Sequence, residues 1–123
     1  MKNLINSIEN NNFMTEGQKA TFLETMCDDR TMAKKRVQNE LKLIILQTLH
    51  DNGNAMTITE IQSVIPTYDS YYEGFSVQRI SALTRQLVCM GMVSRNEIAT
   101  GNSIIVKGKK YPEIIAKFSF INA

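Results

Sequence analysis

The stretch Ser76 to Arg95, SVQRISALTRQLVCMGMVSR, constrains this chain more than any other. Val77, Ile80, Leu83, Leu87 and Val88 recur at helical spacing, and Gln78, Arg79, Ala82, Arg85 and Gln86 fall on the remaining arc. Ser76 stands where a hydroxyl can accept one of the N–H groups that a helix start leaves unpaired. Gly91 supplies a left-handed stop, and from Met92 the apolar pattern changes to the two-residue period of a strand. A helix that runs directly into a strand argues for an α+β chain with a small antiparallel sheet at its C-terminal end.

Upstream, the pattern is helical throughout. Leu4, Ile5 and Ile8 predict a first short helix that stops in the polar Asn10, Asn11 and Asn12. Thr15 and Gln18 match a capping box, followed by Ala20, Phe22, Leu23, Met26 and Cys27 as the stripe of a second helix that Asp28 and Asp29 interrupt. Met32, Val37, Leu41, Ile44, Ile45 and Leu46 or Leu49 sustain a long third helix ending at Asn52 and Gly53. Ala55 and Met56 can form one short strand pairing. Thr57 and Glu60 then cap a fourth helix through Ile58, Ile61, Val64 and Ile65, and Pro66 is expected to close it. The polar and aromatic TYDSYYEG, residues 67–74, connects it to the helix that Ser76 opens, with Tyr68, Tyr71, Tyr72 and Phe75 expected to pack that loop onto the helices.

After Gly91, three strands are expected: Met92 to Ile98, Ser103 to Val106, and Ile114 to Ile121. Two turns separate them, Ala99 to Asn102 and Lys107 to Lys110, and either can be the principal hairpin tip. The chain divides into an N-terminal helical extension, residues 1–33, and a second unit, residues 34–123.

At 123 residues, 43% of them hydrophobic and 21% charged, the chain is long enough to bury a core and has the balance of a globular protein. Its longest apolar run, Leu41 to Leu46, is broken by Lys42, well short of the ~20 residues that cross a bilayer. Asn and Glu punctuate the first twelve residues, unlike a secretory leader, so a cytoplasmic location is expected. Cys27 and Cys89 stand far apart, with His50 as the sole histidine, so two reduced core thiols are expected rather than a metal site. There is no phosphate-cradling glycine loop, nucleophile elbow or carboxylate pair that would point to an enzyme or a cofactor.

Charge is unevenly spread. Residues 1–33 carry Lys2, Lys19 and Arg30 against Glu9, Glu16, Glu24, Asp28 and Asp29, a net −2. Between Ser76 and Lys117, Arg79, Arg85, Arg95, Lys107, Lys109, Lys110 and Lys117 face only Glu97 and Glu113, a net +5. From Lys34 onward the order of elements, and the passage LVCMGMVSR at Leu87 to Arg95, resemble the winged helix-turn-helix superfamily of bacterial and phage DNA-binding proteins. The resemblance covers about ninety residues.

It implies a supporting helix at Ile58 to Pro66 and a recognition helix at Ser76 to Met90. Ser76, Gln78, Arg79 and Ala82 would then face a major groove, with Arg85 and Gln86 further along the same helix. Arg95 would lie against the DNA backbone, and Lys107, Lys109 and Lys110 on the wing would contact phosphates. The chemistry suits those places, because a guanidinium donates twice to guanine and a Gln amide matches adenine, whereas lysines add affinity without reading sequence. Double-stranded DNA is the first expected partner and transcription regulation the expected role, with a homodimer formed through the apolar faces of Met1 to Asp29. The acidic N-terminal third and the Tyr-rich loop also fit a module that docks on a host protein and inhibits it. Asp69 and Glu73 in that loop would oppose phosphate.

Overall fold

The computed structural model describes residues 3–25 and 33–121. Five helices, α1 (Asn3–Glu9), α2 (Glu16–Thr25), α3 (Ala33–Asn52), α4 (Ile58–Tyr68) and α5 (Val77–Cys89), precede two antiparallel strands, β1 (Val93–Val106) and β2 (Lys109–Phe120). The fold is therefore α+β. The expected positions Met26, Cys27, Asp28, Asp29 and Met32 lie outside the described residues.

Local chemistry accounts for each junction. After α1 the Asn11 carboxamide oxygen accepts from the N–H groups of Phe13 and Met14, which reverses the chain. Thr15 and Gln18 close the expected capping box at 3.0 and 3.1 Å, and the Gln18 amide also donates to the Ile121 carbonyl at 2.6 Å. One side chain thus starts α2 and anchors the far end of the chain. The second expected box, Thr57 with Glu60, opens α4 at 3.2 and 2.9 Å. Glu60 is held below the usual carboxylate range by the Thr57 backbone N–H and then by the Thr57 hydroxyl.

Pro66 does not close α4, contrary to expectation: the helix continues to Tyr68. Only one intrahelical hydrogen bond is lost so near the end. The last turn is held instead by buried Ile65, by the Asp69 N–H donating to the Ile65 carbonyl at 3.2 Å, and by the Tyr68 hydroxyl donating to Asp51 of α3 at 2.8 Å. At the end of α5, the Met92 N–H reaches the Leu87 carbonyl and the Gly91 N–H reaches Val88, with Gly91 at φ 79°. That pair of bonds is how a helix stops on a left-handed residue.

Three strands were expected and two are found. Val93 pairs with Phe120 and the ladder runs on to Val106 opposite Lys109, so Lys107 and Gly108, at φ 50° and 76°, form the two-residue tip of one long hairpin. The Ala99 to Asn102 stretch is an irregularity inside β1, not a chain reversal. Ala99 faces Ile114 and Ser103 faces Pro112, which inserts two extra residues into β1 there. The expected short pairing before α4 occurs at Met56, which exchanges two 2.8 Å hydrogen bonds with Phe118.

A single buried cluster joins all of this. It contains Leu41, Ile45, Leu46 and Leu49 of α3, Ile61 and Ile65 of α4, Ile80, Leu83 and Leu87 of α5, and Val93, Phe118 and Phe120 at the base of the hairpin. Ile8, Met14 and Phe22 belong to the same cluster. The apolar faces assigned from sequence to a second copy are, for these residues, occupied inside the chain. Val77, expected in the α5 stripe, is exposed, and Thr84 takes an inward place, its hydroxyl donating to the Ile80 carbonyl at 2.7 Å.

Two stability changes follow. Phe22→Ala should cost about 3 to 5 kcal/mol in urea unfolding, as for a fully buried aromatic; a cost near zero would mean α2 does not share the core. Asn39 is buried at 1% exposure with neither amide atom hydrogen-bonded. Asn39→Leu should therefore leave the unfolding midpoint unchanged or raise it, because an unpaired buried amide costs about 1 to 3 kcal/mol.

Candidate nucleic-acid interface

The outer side of α5 is set by what the inner side buries. Ile80, Leu83, Thr84 and Leu87 point inward, so Gln78, Ala82 and Arg85, spaced four and three apart, form a line on the opposite side. Arg79 and Gln86 flank that line on the side of α3. Ser76, Gln78, Arg79, Ala82, Arg85 and Gln86 are all exposed. Ser76 also caps the helix, accepting from the Arg79 N–H at 3.2 Å.

Two grooves run between α3 and α5. Gln38, Arg79, Ala82, Leu83 and Gln86 line one of about 120 Å³. Lys42, Ala82, Arg85, Gln86, Cys89 and Met90 line a larger one of about 560 Å³. Lys42 is buried, its ammonium 5.9 Å from the Phe22 ring centroid. Cys89 was expected in the core and is instead an exposed unpaired thiol on the rim of the larger groove, because position 89 continues the outward line of Gln78, Ala82 and Arg85. Cys27 lies outside the described residues.

Arg79 is held from the side. Its guanidinium carbon sits 4.1 Å from the Phe75 ring centroid, and Phe75 packs against Tyr72 at 5.0 Å and Tyr71 at 6.0 Å. A stacked guanidinium keeps its donors free while losing part of its rotamer freedom. The packing expected of the Tyr-rich loop is present in Tyr71, Tyr72 and Phe75, with Tyr72 buried. Tyr68 departs from it and bonds Asp51 instead. Of the two loop carboxylates, Asp69 accepts from the Tyr71 N–H at 3.0 Å and caps the 3₁₀ turn Ser70–Tyr72, whereas Glu73 is exposed.

The hairpin carries the remaining candidates. Arg95 is exposed but its guanidinium donates to Glu97 at 2.7 Å, so its charge is locally compensated. Lys107, Lys109 and Lys110 are exposed at the tip, Lys109 opposite Val106 and Lys110 opposite Ile105, so these two project from opposite faces of the ribbon. No Asp or Glu occurs from Ile98 to Pro112.

Sequence reasoning missed the Phe75 stack on Arg79 and the tie from Tyr68 to Asp51. The first had a faint signal, an aromatic four residues before an Arg across a helix start; the second, seventeen residues apart, had none. His50 stacks on Phe13 at 4.7 Å and meets Phe120 edge-on at 5.6 Å, which accounts for it structurally. Among the described residues no group of His, Cys, Asp and Glu could hold a metal ion, and no helix is long and apolar enough to cross a membrane. Comparison with protein-family models, with curated proteins and with solved structures returns no match.

The ties beneath the site have an alkaline signature. Burial and then the Asp51 hydrogen bond push the Tyr68 hydroxyl up to about 12, and burial, followed by Glu40, raises Tyr72 further. Burial pushes the Asp51 carboxyl up, but hydrogen bonds with Tyr68, His50 and Gln47 outweigh it and leave the carboxyl below its ordinary value. Both phenols keep their protons in the fold at a pH where the unfolded chain, near 10, loses them. Their contribution is complete below pH 10 and is lost as the pH rises toward 12. The urea midpoint should fall from pH 9 to 11, and the double variant Tyr68→Phe, Tyr72→Phe should show a shallower fall. Equal slopes would dismiss these two groups as the cause.

Proposed function

We propose that this chain is a winged helix-turn-helix protein that binds duplex DNA as a regulator of transcription, with α5 as the reading helix and the hairpin as the wing. The observation that carries the proposal is the outer side of α5, which presents Gln78, Arg79, Arg85 and Gln86 to solvent without a carboxylate among them. The order of elements agrees: α3, the Met56 bridge onto the second strand, α4, α5 and then the hairpin.

Each part has a role in this reading. The first turn of α5, opened by Ser76, brings Gln78 and Arg79 to base edges, where a bidentate pair contributes about 1 to 3 kcal/mol of discrimination. Phe75 orients Arg79 in advance, which lowers the entropy lost on binding. Lys107, Lys109 and Lys110 take phosphates and supply affinity that depends on salt but not on sequence. Arg95, paired with Glu97, contributes less than an unpaired cation at that place would.

Fluorescence anisotropy with a labelled mixed-sequence duplex should detect binding at low salt that weakens as salt is raised. Replacing Lys107, Lys109 and Lys110 together by Ala should flatten the plot of log affinity against log salt by roughly 0.9 for each phosphate that is no longer neutralised. Arg79→Ala should weaken a selected sequence by about 1 to 3 kcal/mol while leaving that slope nearly unchanged. No binding at low salt would reject the reading.

A further inference from the structure

We propose that the distal half of the hairpin, residues 98–115, is the interface through which two copies of this chain dimerise. The buried residues of the hairpin, Val93, Phe118 and Phe120, all lie at its base; beyond the pair Arg95 and Phe118 no strand residue is buried. The remainder is a two-stranded ribbon projecting from the body, and such a ribbon alone in water is at best marginally stable.

Its composition is not that of a solvated arm. Ile98, Ile104, Ile105, Val106, Tyr111 and Ile114 are exposed by 42, 43, 77, 46, 46 and 53%. Ile104 and Tyr111 are cross-strand partners and share a face with Val106; Ile105 and Ile114 occupy the other. From Ile98 to Val106 there is no charged residue. Exposed strands ordinarily carry charge or proline against unwanted association. β2 has both, in Pro112 and Lys110, whereas β1 from Ile98 onward has only its irregularity at residues 100–102.

Area and charge select a second copy as the occupant. Four of the six, Ile98, Ile104, Val106 and Tyr111, share one face and together present a few hundred Å² of surface, comparable to the largest patch a monomer usually leaves open. Doubled by a two-fold axis and joined by the backbone and side chains between them, that face makes an interface at the low end of the specific size range. Two arms laid antiparallel also bring the lysine tip of each toward Glu113 at the base of the other, on that same face, whereas a parallel arrangement would crowd six lysines together. Since Glu97 is engaged by Arg95, the three tip lysines outnumber the free carboxylate and keep a net positive charge for phosphate. A polyanion, by contrast, would leave the uncharged middle of the arm in water.

Sedimentation equilibrium of the full chain, without DNA, tests this independently of the DNA reading. The wild-type protein should be a dimer at micromolar concentration. Ile104→Lys, on the face shared by Tyr111 and Glu113, should weaken the dimer at least tenfold with the thermal melt of the helices unchanged, and Glu113→Lys should weaken it as well. Should Ile104→Lys fail to fold, Ile104→Thr keeps the branched side chain and should show the same direction. A wild-type monomer across the micromolar range would overturn the proposal, whether or not it sediments with anionic lipid vesicles. So would a dimer that neither the Ile104 variants nor Glu113→Lys disturbs.

Discussion

The two hydrogen bonds between Met56 and Phe118 determine how the helical half of the molecule meets the hairpin. Each is 2.8 Å long, and both side chains are almost fully buried at 4 and 3% exposure. Met56 stands immediately before the Thr57 cap of α4, and Phe118 lies across from Arg95 on β1, which follows directly from α5. One residue pair therefore closes a ring of elements: α4, α5, β1, β2 and back to α4. Without it the hairpin would be joined to the helices through the Gly91 turn, the Gln18 bond to Ile121 and apolar packing. With it, the angle between the outer side of α5 and the ribbon is held by directional bonds in a dry environment, where such bonds are strongest.

The N-terminal helices reinforce the same junction from the other side. The Gln18 amide holds the Ile121 carbonyl, the Ile121 N–H donates to the Met92 carbonyl, and Phe13 packs on Phe120 with His50 against both rings. The last residues of β2 are thus gripped by α2, by the end of α3 and by the turn out of α5. This places α1 and α2 among the elements that position the hairpin, a structural task that their acidic charge and polar surface do not advertise.

What could be read in advance depended on the range of the interaction. Thr15 with Gln18, Thr57 with Glu60, Ser76 and Gly91 act within five residues of themselves, and each does in the fold what its local chemistry implies. The helical stripes of α3 and α4 were legible for the same reason. Pro66 misled because its cost is local while the compensation, buried Ile65 and the bond from Tyr68 to Asp51, is tertiary. The hairpin misled because Ala99-Thr100-Gly101-Asn102 has the composition of a reversal, and only the register with β2 distinguishes a reversal from two inserted residues. All ten candidate DNA-facing residues were legible as surface positions, and all are exposed. Pairing was not legible: Arg95 has Glu97 beside it, and Arg79 has the Phe75 ring.

The irregularity in β1 divides the hairpin into two parts with different physical demands. Below it, Val93, Phe118 and Phe120 are fixed by the core, and the Ser94 and Ser119 hydroxyls bond across the ladder at 2.7 Å. Above it, apart from the lysines at the tip, the large side chains are apolar yet exposed, and the strands have only each other. Extra residues inserted at this boundary bend and twist a strand locally, so the distal ribbon need not follow the plane that the core imposes on the base. Gly101, at φ 87°, permits the backbone turn that a side chain there would resist. A hairpin needed only as a compact wing would have no use for such a bend followed by an uncharged, β-branched stretch. A hairpin that must leave its own domain and lie against another surface needs both.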